Sequence, residues 1–223
     1  MEKVAELKNV SKQYPSGDEI ITALDKASFE VFKKQLVLIL GPSGSGKTTM
    51  LLLLGGIEEP SSGDIFINDI NLGNLKDDER TRLRLHHIGF VFQNINLIKP
   101  MSILENVAFP ALLSMKNREK AEARAREMIE KVGLAKKVKS FPGELSGGEQ
   151  QRIGVARALV GDPDILLCDE PTASLDGKSL EVVMEELKRS SEEGKAVLVV
   201  SHDTRLEKYA DKIINVIDGK LKE

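Results

Sequence analysis

The amino-acid sequence predicts an α/β fold built on a mostly parallel β-sheet, with an antiparallel β flank and an inserted helical segment. Short apolar runs rich in Val, Ile and Leu are typical of strands buried on both faces of a sheet, and three occur, at 36–40, 165–168 and 196–200. Charged segments of helical character lie elsewhere, for example at 117–132. A glycine-rich loop leads from the first run straight into a further apolar segment, which completes a strand–loop–helix pattern.

Composition restricts the class of protein. The chain has 223 residues, 41% of them hydrophobic and 30% charged, which is typical of a folded globular protein. The net charge of −3 gives no footprint for nucleic-acid binding. A single cysteine permits no internal disulfide, which fits a reducing cytosol. The N-terminus lacks a signal-peptide core, and no apolar run approaches the ~20 residues of a membrane span, so a role at a membrane would need another chain.

The N-terminal part of the chain predicts the strands of the flank. Residues 3–10 and 27–32 alternate between apolar and polar side chains, with a turn at 15–18, and another short strand follows at 64–67. Tyr14, one of two tyrosines, lies just before that turn. Its ring could stack on a base or pack on neighbours at the end of a strand, and composition alone favours packing.

The stretch from Gly41 to Thr49, GPSGSGKTT, has the residues and spacing of a phosphate-binding loop. It leads into a helix that begins near Gly46. Glycines let a backbone wrap closely around an anion, and free N–H groups at a helix start point toward it. Lys47 would then reach the β- and γ-phosphates, and the Thr48 hydroxyl would lie on Mg²⁺.

Gln93 ends a strand predicted at 88–92, at the edge where parallel sheets bind ligands. It could complete a magnesium shell and sense the γ-phosphate, or it could be an ordinary polar residue at a strand end. The sequence leaves both interpretations open.

The apolar segment 94–115 is interrupted by Pro100 and Pro110, which predicts only a short helix, from Ser102 to Phe109. This helix could lie on a surface that meets another protein, or it could pack within its own domain. The two possibilities are equally supported.

The stretch LSGGEQQR, residues 145–152, predicts a capped helix start. Ser146 and Glu149 have capping-box spacing, and two glycines behind the cap leave the helix N-terminus sterically bare. A plain capped helix is the default interpretation of this pattern. A bare N-terminus is also the kind of site that binds an anion, so a second phosphate contact is the alternative.

Two carboxylates and a histidine follow later strands. The run at 165–168 ends on Asp169, which would lie near the magnesium, and on Glu170, which could polarise an attacking water as general base. His202 comes at the end of the strand at 196–200, in line with Gln93 and Glu170, and is a candidate phosphate contact. The chain then continues with a strand at 212–216, a turn and a last edge strand.

The motifs GPSGSGKTT, LSGGEQQR, ILLCDE, SLD and SHD occur in this order, and together they resemble those of the ATP-binding-cassette ATPases, from Tyr14 to the turn at Asp218-Gly219. The phosphate loop is shared by many nucleotidases, but its combination with LSGGEQQR is specific to this family. Residues 76–93 and 96–110 are similar to one branch, the nucleotide-binding subunits of macrolide-export and lipoprotein-release transporters. Bacitracin-, heme- and cell-division-type relatives share much of this pattern.

The resemblance implies a role for each matching residue toward ATP and Mg²⁺. Tyr14 would stack on adenine, against the preference from composition. Thr48 and Gln93 would ligate Mg²⁺, with Asp169 supporting through water. Glu170 would be the catalytic base, assisted by His202 as γ-phosphate contact and by Lys47. The phosphates would be bound by Ser43, Gly44, Ser45, Gly46, Lys47, Thr48 and Thr49.

The resemblance also implies contacts to a second copy of the chain. The tip formed by Ser146, Gly147, Gly148 and Glu149 would contact the nucleotide held by the other protomer, and Asp176 of the SLD motif would lie at the protomer interface. ATP would therefore drive head-to-tail dimerisation.

We expect one nucleotide-binding domain over residues 1–223, with a core and β flank at 1–93 and 161–223 and a helical part at about 94–160. A membrane permease would contact residues 94–115, which places the protein peripherally at the cytoplasmic face of the cell membrane. The cargo would be a hydrophobic or peptide-like substrate, exported or extracted. The alternatives are an ATP-switched regulator of a cell-envelope or division complex and a soluble cassette ATPase acting on nucleic acid or ribosomes, which the acidic composition disfavours.

Overall fold

The computed structural model describes residues 2–17, 19–173 and 175–222 and arranges them around two β-sheets. The strands are β1 Lys3–Ser16, β2 Glu19–Phe32, β3 Gln35–Leu40, β4 Ser62–Ile67, β5 Ile70–Asn71, β6 Ile88–Val91, β7 Ile165–Asp169, β8 Ala196–Ser201, β9 Lys212–Ile217 and β10 Lys220–Lys222. The α-helices are α1 Lys47–Leu54, α2 Asp77–His87, α3 Ile103–Met115, α4 Arg118–Lys131, α5 Gly147–Leu159 and α6 Gly177–Glu192.

The larger sheet has the strand order β10-β9-β3-β8-β7-β6, and only the β10–β9 pair is antiparallel. The smaller sheet, β2-β1-β4-β5, is antiparallel throughout. The predicted fold class is therefore confirmed. Because β3, β6, β7 and β8 are parallel, the loops that follow them meet at one edge, and these loops hold the phosphate loop, Gln93, Glu170 and His202.

The larger sheet is buried on both faces, as the continuous apolar runs predict. Alternate residues of β3 point to opposite sides: Leu36 and Leu38 pack with α3 to α6, and Val37 and Ile39 pack with α1 and the smaller sheet. The two hydrophobic cores fix the sheet between two layers. Among the described residues, no helix is both long and apolar enough to cross a membrane.

Helix α3 corrects the prediction of a short helix from Ser102 to Phe109, because it continues through Pro110 to Met115. A proline inside a helix removes one backbone hydrogen bond and costs about 3 kcal/mol. That cost is offset by tertiary packing, since one face of α3 is buried in the core through Ile103, Val107 and Ala111. Other differences are shifts of element ends: β6 ends at Val91 rather than at residue 92, β1 continues to Ser16, and β2 begins already at Glu19.

Glu186 on α6 is a buried acid, with 4% of its surface exposed. Its Oε2 lies 3.2 Å from Arg189 Nη1, yet no group of the described residues donates a well-formed hydrogen bond to it. Burial raises the pKa of Glu186 above its usual range, and Arg189 only partly opposes this shift. The ionised side chain therefore destabilises the fold at any pH above its folded pKa.

The variant Glu186→Gln is expected to raise the free energy of unfolding by about 1 kcal/mol at neutral pH. For a chain of this size that is roughly 2–4 °C in Tm. The gain should shrink as pH falls through the raised pKa, because the native side chain is then neutral too. Thermal melts across pH measure this, with the exposed neighbour Glu185→Gln as the matched control. An equal change in both variants, or a gain independent of pH, would contradict it.

Candidate nucleotide site

The phosphate loop joins β3 to α1 through two glycines with left-handed backbone, Gly44 (φ 80°) and Gly46 (φ 100°). Gly46 cannot be replaced without movement, since a Cβ there would overlap the carbonyl oxygen of Ala23. No side chain caps the start of α1, so its first N–H groups face the loop. This is the arrangement in which a helix N-terminus binds an anion.

Lys47 lies inside the loop and is nearly buried. Its Nζ donates to the carbonyl oxygens of Gly41 and Pro42, both at 2.8 Å. Burial lowers the pKa of Lys47, and the charges of Glu170 and Asp169 oppose that shift. The loop thus holds a desolvated cation among backbone carbonyls, close to two carboxylates, where a phosphate would be a strong partner.

A pocket of about 330 Å³ opens above the loop and collects most of the predicted residues. It is lined by Ala23, Ser43, Gly44, Gly46, Lys47, Thr48, Thr49, Gln93, Glu170 and His202. Ser45 is buried beneath the loop, and its hydroxyl makes no hydrogen bond to the described residues. Ala23 is a lining residue that the sequence did not indicate.

A larger cleft, of about 570 Å³, lies at the opposite edge of the sheet, by the amino ends of β3, β7 and β8. Its charged groups are largely paired with each other: Lys33 with Glu2 at 2.7 Å, and Lys195 with Asp162 at 2.6 Å. It therefore offers less free charge to a ligand than the pocket above the phosphate loop.

The Thr48 hydroxyl lies 3.1 and 3.2 Å from the two carboxylate oxygens of Asp169. Burial raises the pKa of Asp169, and the bond from Thr48 and the charge of Lys47 only partly lower it. No group of three or more His, Cys, Asp or Glu side chains that could hold a metal occurs among the described residues. A hydroxyl, a carboxylate and the nearby Gln93 amide are, however, the oxygen donors that suit Mg²⁺, which takes few protein ligands beside phosphate.

Glu170 follows β7 in a left-handed conformation (φ 44°), and both of its carboxylate oxygens are engaged. Oε1 lies 2.8 Å from His202 Nδ1, and Oε2 accepts a hydrogen bond of 2.8 Å from Ser201 Oγ. Ser201 is fully buried and its hydroxyl oxygen accepts from the Asp203 N–H at 3.1 Å. Ser201 therefore orients Glu170, a function that the sequence did not indicate because only His202 stood out in that motif.

Tyr14 lies within β1 beside the start of α1, outside the lining of the pocket. Its hydroxyl donates to the Glu58 carboxylate and also contacts the Thr49 side chain. Lys12 Nζ lies 5.0 Å from the centre of its ring. Burial and Glu58 raise the pKa of Tyr14. Lys12 and Glu58 thus fix the ring, and no sequence signal marked either of them.

The second predicted phosphate contact is a capped helix start. The Ser146 N–H donates to Glu149 Oε2 at 2.8 Å, and Ser146 Oγ accepts from the Glu149 N–H at 3.3 Å. The hydrogen bonds from Ser146 lower the pKa of Glu149. Ser146 and Gly147 are exposed, and the tip does not line the pocket of its own chain. Asp176 caps α6 by accepting from the Ser179 N–H at 2.8 Å, and Ser174 of the SLD motif lies outside the described residues.

The two glycines of the tip differ in their surroundings. Nothing lies within 4 Å of a Cβ built on Gly147, whereas one on Gly148 would lie 2.9 Å from Ser179 Oγ and 3.6 Å from Leu175. Ser179 is held in place by Asp176, so it cannot easily move away.

Gly147→Ala is therefore expected to leave the free energy of unfolding unchanged or slightly higher. Gly148→Ala should be less stable than Gly147→Ala by about 1–2 kcal/mol, because the added methyl group overpacks the contact with Ser179. Urea denaturation of the two variants, with Gly143→Ala as an open-space control, measures the difference. Equal stability of the two would show that α5 and α6 separate freely at this point.

Comparisons with known proteins show which proteins this chain is similar to. The family model described as ABC transporter matches residues 24–173. The uncharacterized ABC transporter ATP-binding protein MJ0796 of Methanocaldococcus jannaschii is 42% identical over 220 residues, which cover 96% of this chain and 94% of that protein. A dimeric structure of a post-hydrolysis state of MJ0796 bound to ADP and Pi matches with a TM-score of 0.89 at 41% identity, covering 98% of both chains.

A second group of relatives is longer than this chain. The macrolide export ATP-binding/permease protein MacB of Haemophilus ducreyi is 38% identical over 97% of the chain, and that of Salmonella typhi is 39% identical over 99%. The chain spans only 31% and 34% of the length of these two proteins.

Proposed function

The chain belongs to the ABC transporter family, and on that premise we propose that it binds and hydrolyses ATP to drive a separate membrane permease. The observation that carries the proposal is the convergence, at one pocket, of the Lys47 loop, the Thr48–Asp169 pair and the Glu170–His202 pair. Phosphoryl transfer to water requires a cation near the phosphates, oxygen donors for a metal ion and an oriented carboxylate, and these three groups provide them.

Each group has a distinct role in this proposal. The loop N–H groups and Lys47 bind the β- and γ-phosphates, and Tyr14 stacks on the base from the side of Thr49. Glu170, oriented by Ser201, accepts the proton of the attacking water, while His202 contacts the γ-phosphate. When bound, Mg²⁺ would neutralise phosphate charge, and Thr48 and Gln93 would ligate it, with Asp169 supporting through water.

The tip at Ser146 and Gly147 is exposed and lies outside the pocket of its own chain, which supports a contact to a nucleotide held by a second copy. Two copies packed head to tail would then bury two ATP molecules between them. ATP binding closes the dimer, and loss of the γ-phosphate reopens it. The MJ0796 structure is described as dimeric with ADP and Pi, which is the kind of assembly this arrangement requires.

We assign the permease contact to the exposed face of α3 within residues 94–115. Phe109, Leu112, Leu113 and Met115 are 38–51% exposed there, although the opposite face of the helix is buried. A groove of about 220 Å³ runs between α3 and α4 beside these side chains. We also assign residues 94–160 to a helical part and the remaining residues to a core and β flank. In this proposal the whole chain lies at the cytoplasmic face of a membrane. The cargo in this proposal is hydrophobic or peptide-like, exported or extracted, and the MacB relatives, which are described as macrolide exporters, support export.

Two measurements test the proposal. The purified protein should hydrolyse ATP in the presence of Mg²⁺ and should bind ATP without it. A tagged copy expressed in its source organism should co-purify from the membrane fraction with an integral membrane protein, and Leu113→Asp should abolish this capture. Ile217→Glu is the matched control, since Ile217 is 41% exposed on β9. Absence of ATP hydrolysis, or equal capture by both variants, would contradict the proposal.

A further inference from the structure

The segment that carries Gln93 has little regular structure and is held by side chains from two helices. Between β6 and α3, residues 92–102 contain neither strand nor α-helix. On the α3 side, the buried Asn106 accepts from the Ile98 N–H at 2.7 Å and donates to the carbonyl oxygens of Ile98 and Met101 at 3.1 and 3.0 Å. This contact fixes the far end of the segment.

The near end, next to Gln93, is held by Arg157 in the last turn of α5. One guanidinium nitrogen donates to the carbonyl oxygen of Ile95 and another to that of Asn96 at 3.2 Å. The same stretch packs on α5 through Ile95, since a Cβ built on Gly154 would lie 3.0 Å from Ile95 Cγ2. Asn96 itself has a left-handed backbone (φ 46°), a conformation that asparagine adopts more readily than most residues.

The guanidinium of Arg157 is paired with backbone carbonyls rather than with a carboxylate. Among the described residues no carboxylate forms an ion pair with its guanidinium, and the carbonyl oxygens of Ile95 and Asn96 are its hydrogen-bond partners. Burial lowers the pKa of Arg157 and no neighbouring charge compensates. A desolvated cation is costly unless its hydrogen bonds are well made, so the loop and the guanidinium constrain each other. The planar fork of arginine suits two successive carbonyls, whereas a lysine would bind them as a single point.

Helix α5 thereby connects the Gln93 segment with the exposed tip at Ser146. In the proposed function these two places belong to different nucleotide sites of the dimer. The first residues of α5 follow Ser146 at the exposed tip, and Arg157 lies near its other end, about 15 Å along a rigid helix. At that end Arg157 holds the residues next to Gln93, which lines the pocket of the same chain. A displacement of Gln93 would therefore be passed to the tip by the helix as a whole.

We propose that Arg157 is a positioning residue that ties the Gln93 segment to α5, so that Gln93 in one nucleotide site and the Ser146–Gly148 tip in the other move together. The inference rests on the proposed function. Arg157 acts through Gln93 and contacts neither nucleotide. Its loss should therefore affect hydrolysis and dimer closure rather than the binding of ATP to the phosphate loop.

A double-mutant cycle between Arg157→Met and Gln93→Ala tests this directly. Arg157→Met should lower the kcat of ATP hydrolysis about 10- to 100-fold, because a misplaced supporting group has an effect of this size. The affinity for ATP, measured in EDTA so that no hydrolysis occurs, should change by less than about twofold. Arg157→Lys should give an intermediate kcat. The double variant should have the kcat of Gln93→Ala alone. The control is Arg124→Met on α4, which removes an arginine paired with Glu127 at 2.6 Å and with Asp162 at 3.9 Å and leaves the segment untouched.

Multiplicative losses in the double variant would overturn the inference, as would a loss of ATP affinity that matches the loss of kcat. If Arg157→Met does not fold, the same cycle is run with Arg157→Lys and judged by the same criterion. A wild-type protein that does not hydrolyse ATP would overturn the proposed function and this inference together. Hydrolysis by the wild type with independent effects of the two residues would overturn the role of Arg157 alone.

Discussion

Replacing Glu170 by glutamine is expected to lower the kcat of ATP hydrolysis about 100- to 10,000-fold while ATP binding is retained. The amide has nearly the same shape as the carboxylate, so it can keep the place between Ser201 and His202. It cannot accept the proton of the attacking water, however. The γ-phosphate then persists, and the ATP-bound dimer should accumulate.

Phosphate release and ATP retention measure this expectation, with Glu207→Gln as the control because Glu207 is exposed on the turn after β8. If Glu170→Gln hydrolyses ATP at a near-normal rate, Glu170 is not the base. Ser201→Ala offers a graded comparison: it removes the hydrogen bond to Glu170 Oε2 and should reduce kcat by less than Glu170→Gln does.

Replacing Lys47 by alanine is expected to weaken ATP binding roughly 10- to 100-fold and to remove measurable hydrolysis. A hydrogen bond to a charged group contributes about 1.5–3 kcal/mol, and each 1.4 kcal/mol is a factor of ten in affinity. The variant also leaves the carbonyl oxygens of Gly41 and Pro42 without their 2.8 Å donor, so the loop should hold its shape less firmly.

Titration calorimetry with ATP measures the affinity, and Lys136→Ala on an exposed turn provides the control. Lys47→Arg should not restore hydrolysis, because Lys47 is buried within the loop and the guanidinium is larger than the compact ammonium that the loop encloses. Unchanged ATP binding by Lys47→Ala would remove the assignment of Gly41 to Thr49 as the phosphate loop.

The sequence predicted those parts of the site whose chemistry is local. The phosphate loop, the Ser146–Glu149 cap and the strand ends at Asp169 and His202 depend on neighbours within about five residues, so their residue types and spacing suffice. Helix α3 was predicted too short, since the cost of Pro110 is visible in the sequence but the burial that offsets it is not. One face of the helix packs within its own domain, as one interpretation predicted, and the other face is exposed. A contact of that exposed face with another protein stays a prediction.

Three residues that act across long sequence separations were not predicted. Glu58 holds Tyr14 from 44 positions away, Ser201 orients Glu170 from 31, and Arg157 binds the Ile95 carbonyl from 62. Each of these side chains is unremarkable in its own stretch of sequence. Its role appears only when parallel strands and packed helices bring the two stretches together, which local patterns do not encode.

In the proposed dimer, ATP is held between the phosphate loop of one copy and the helix tip of the other. Helix α3 provides a matched control, because Ser102 and Glu105 form the same capping box as Ser146 and Glu149, with bonds of 2.8 and 3.3 Å in both. Arginine at either serine should therefore cost similar cap stability, about 1 kcal/mol.

The decisive measurement is sedimentation velocity of the Glu170→Gln protein with saturating Mg²⁺ and ATP, alone and combined with Ser146→Arg or Ser102→Arg. Glu170→Gln and its combination with Ser102→Arg are expected to be dimers, and the combination with Ser146→Arg is expected to be a monomer that still binds ATP. A full dimer of the Ser146→Arg combination would contradict the contact between the helix tip and the nucleotide of the other copy.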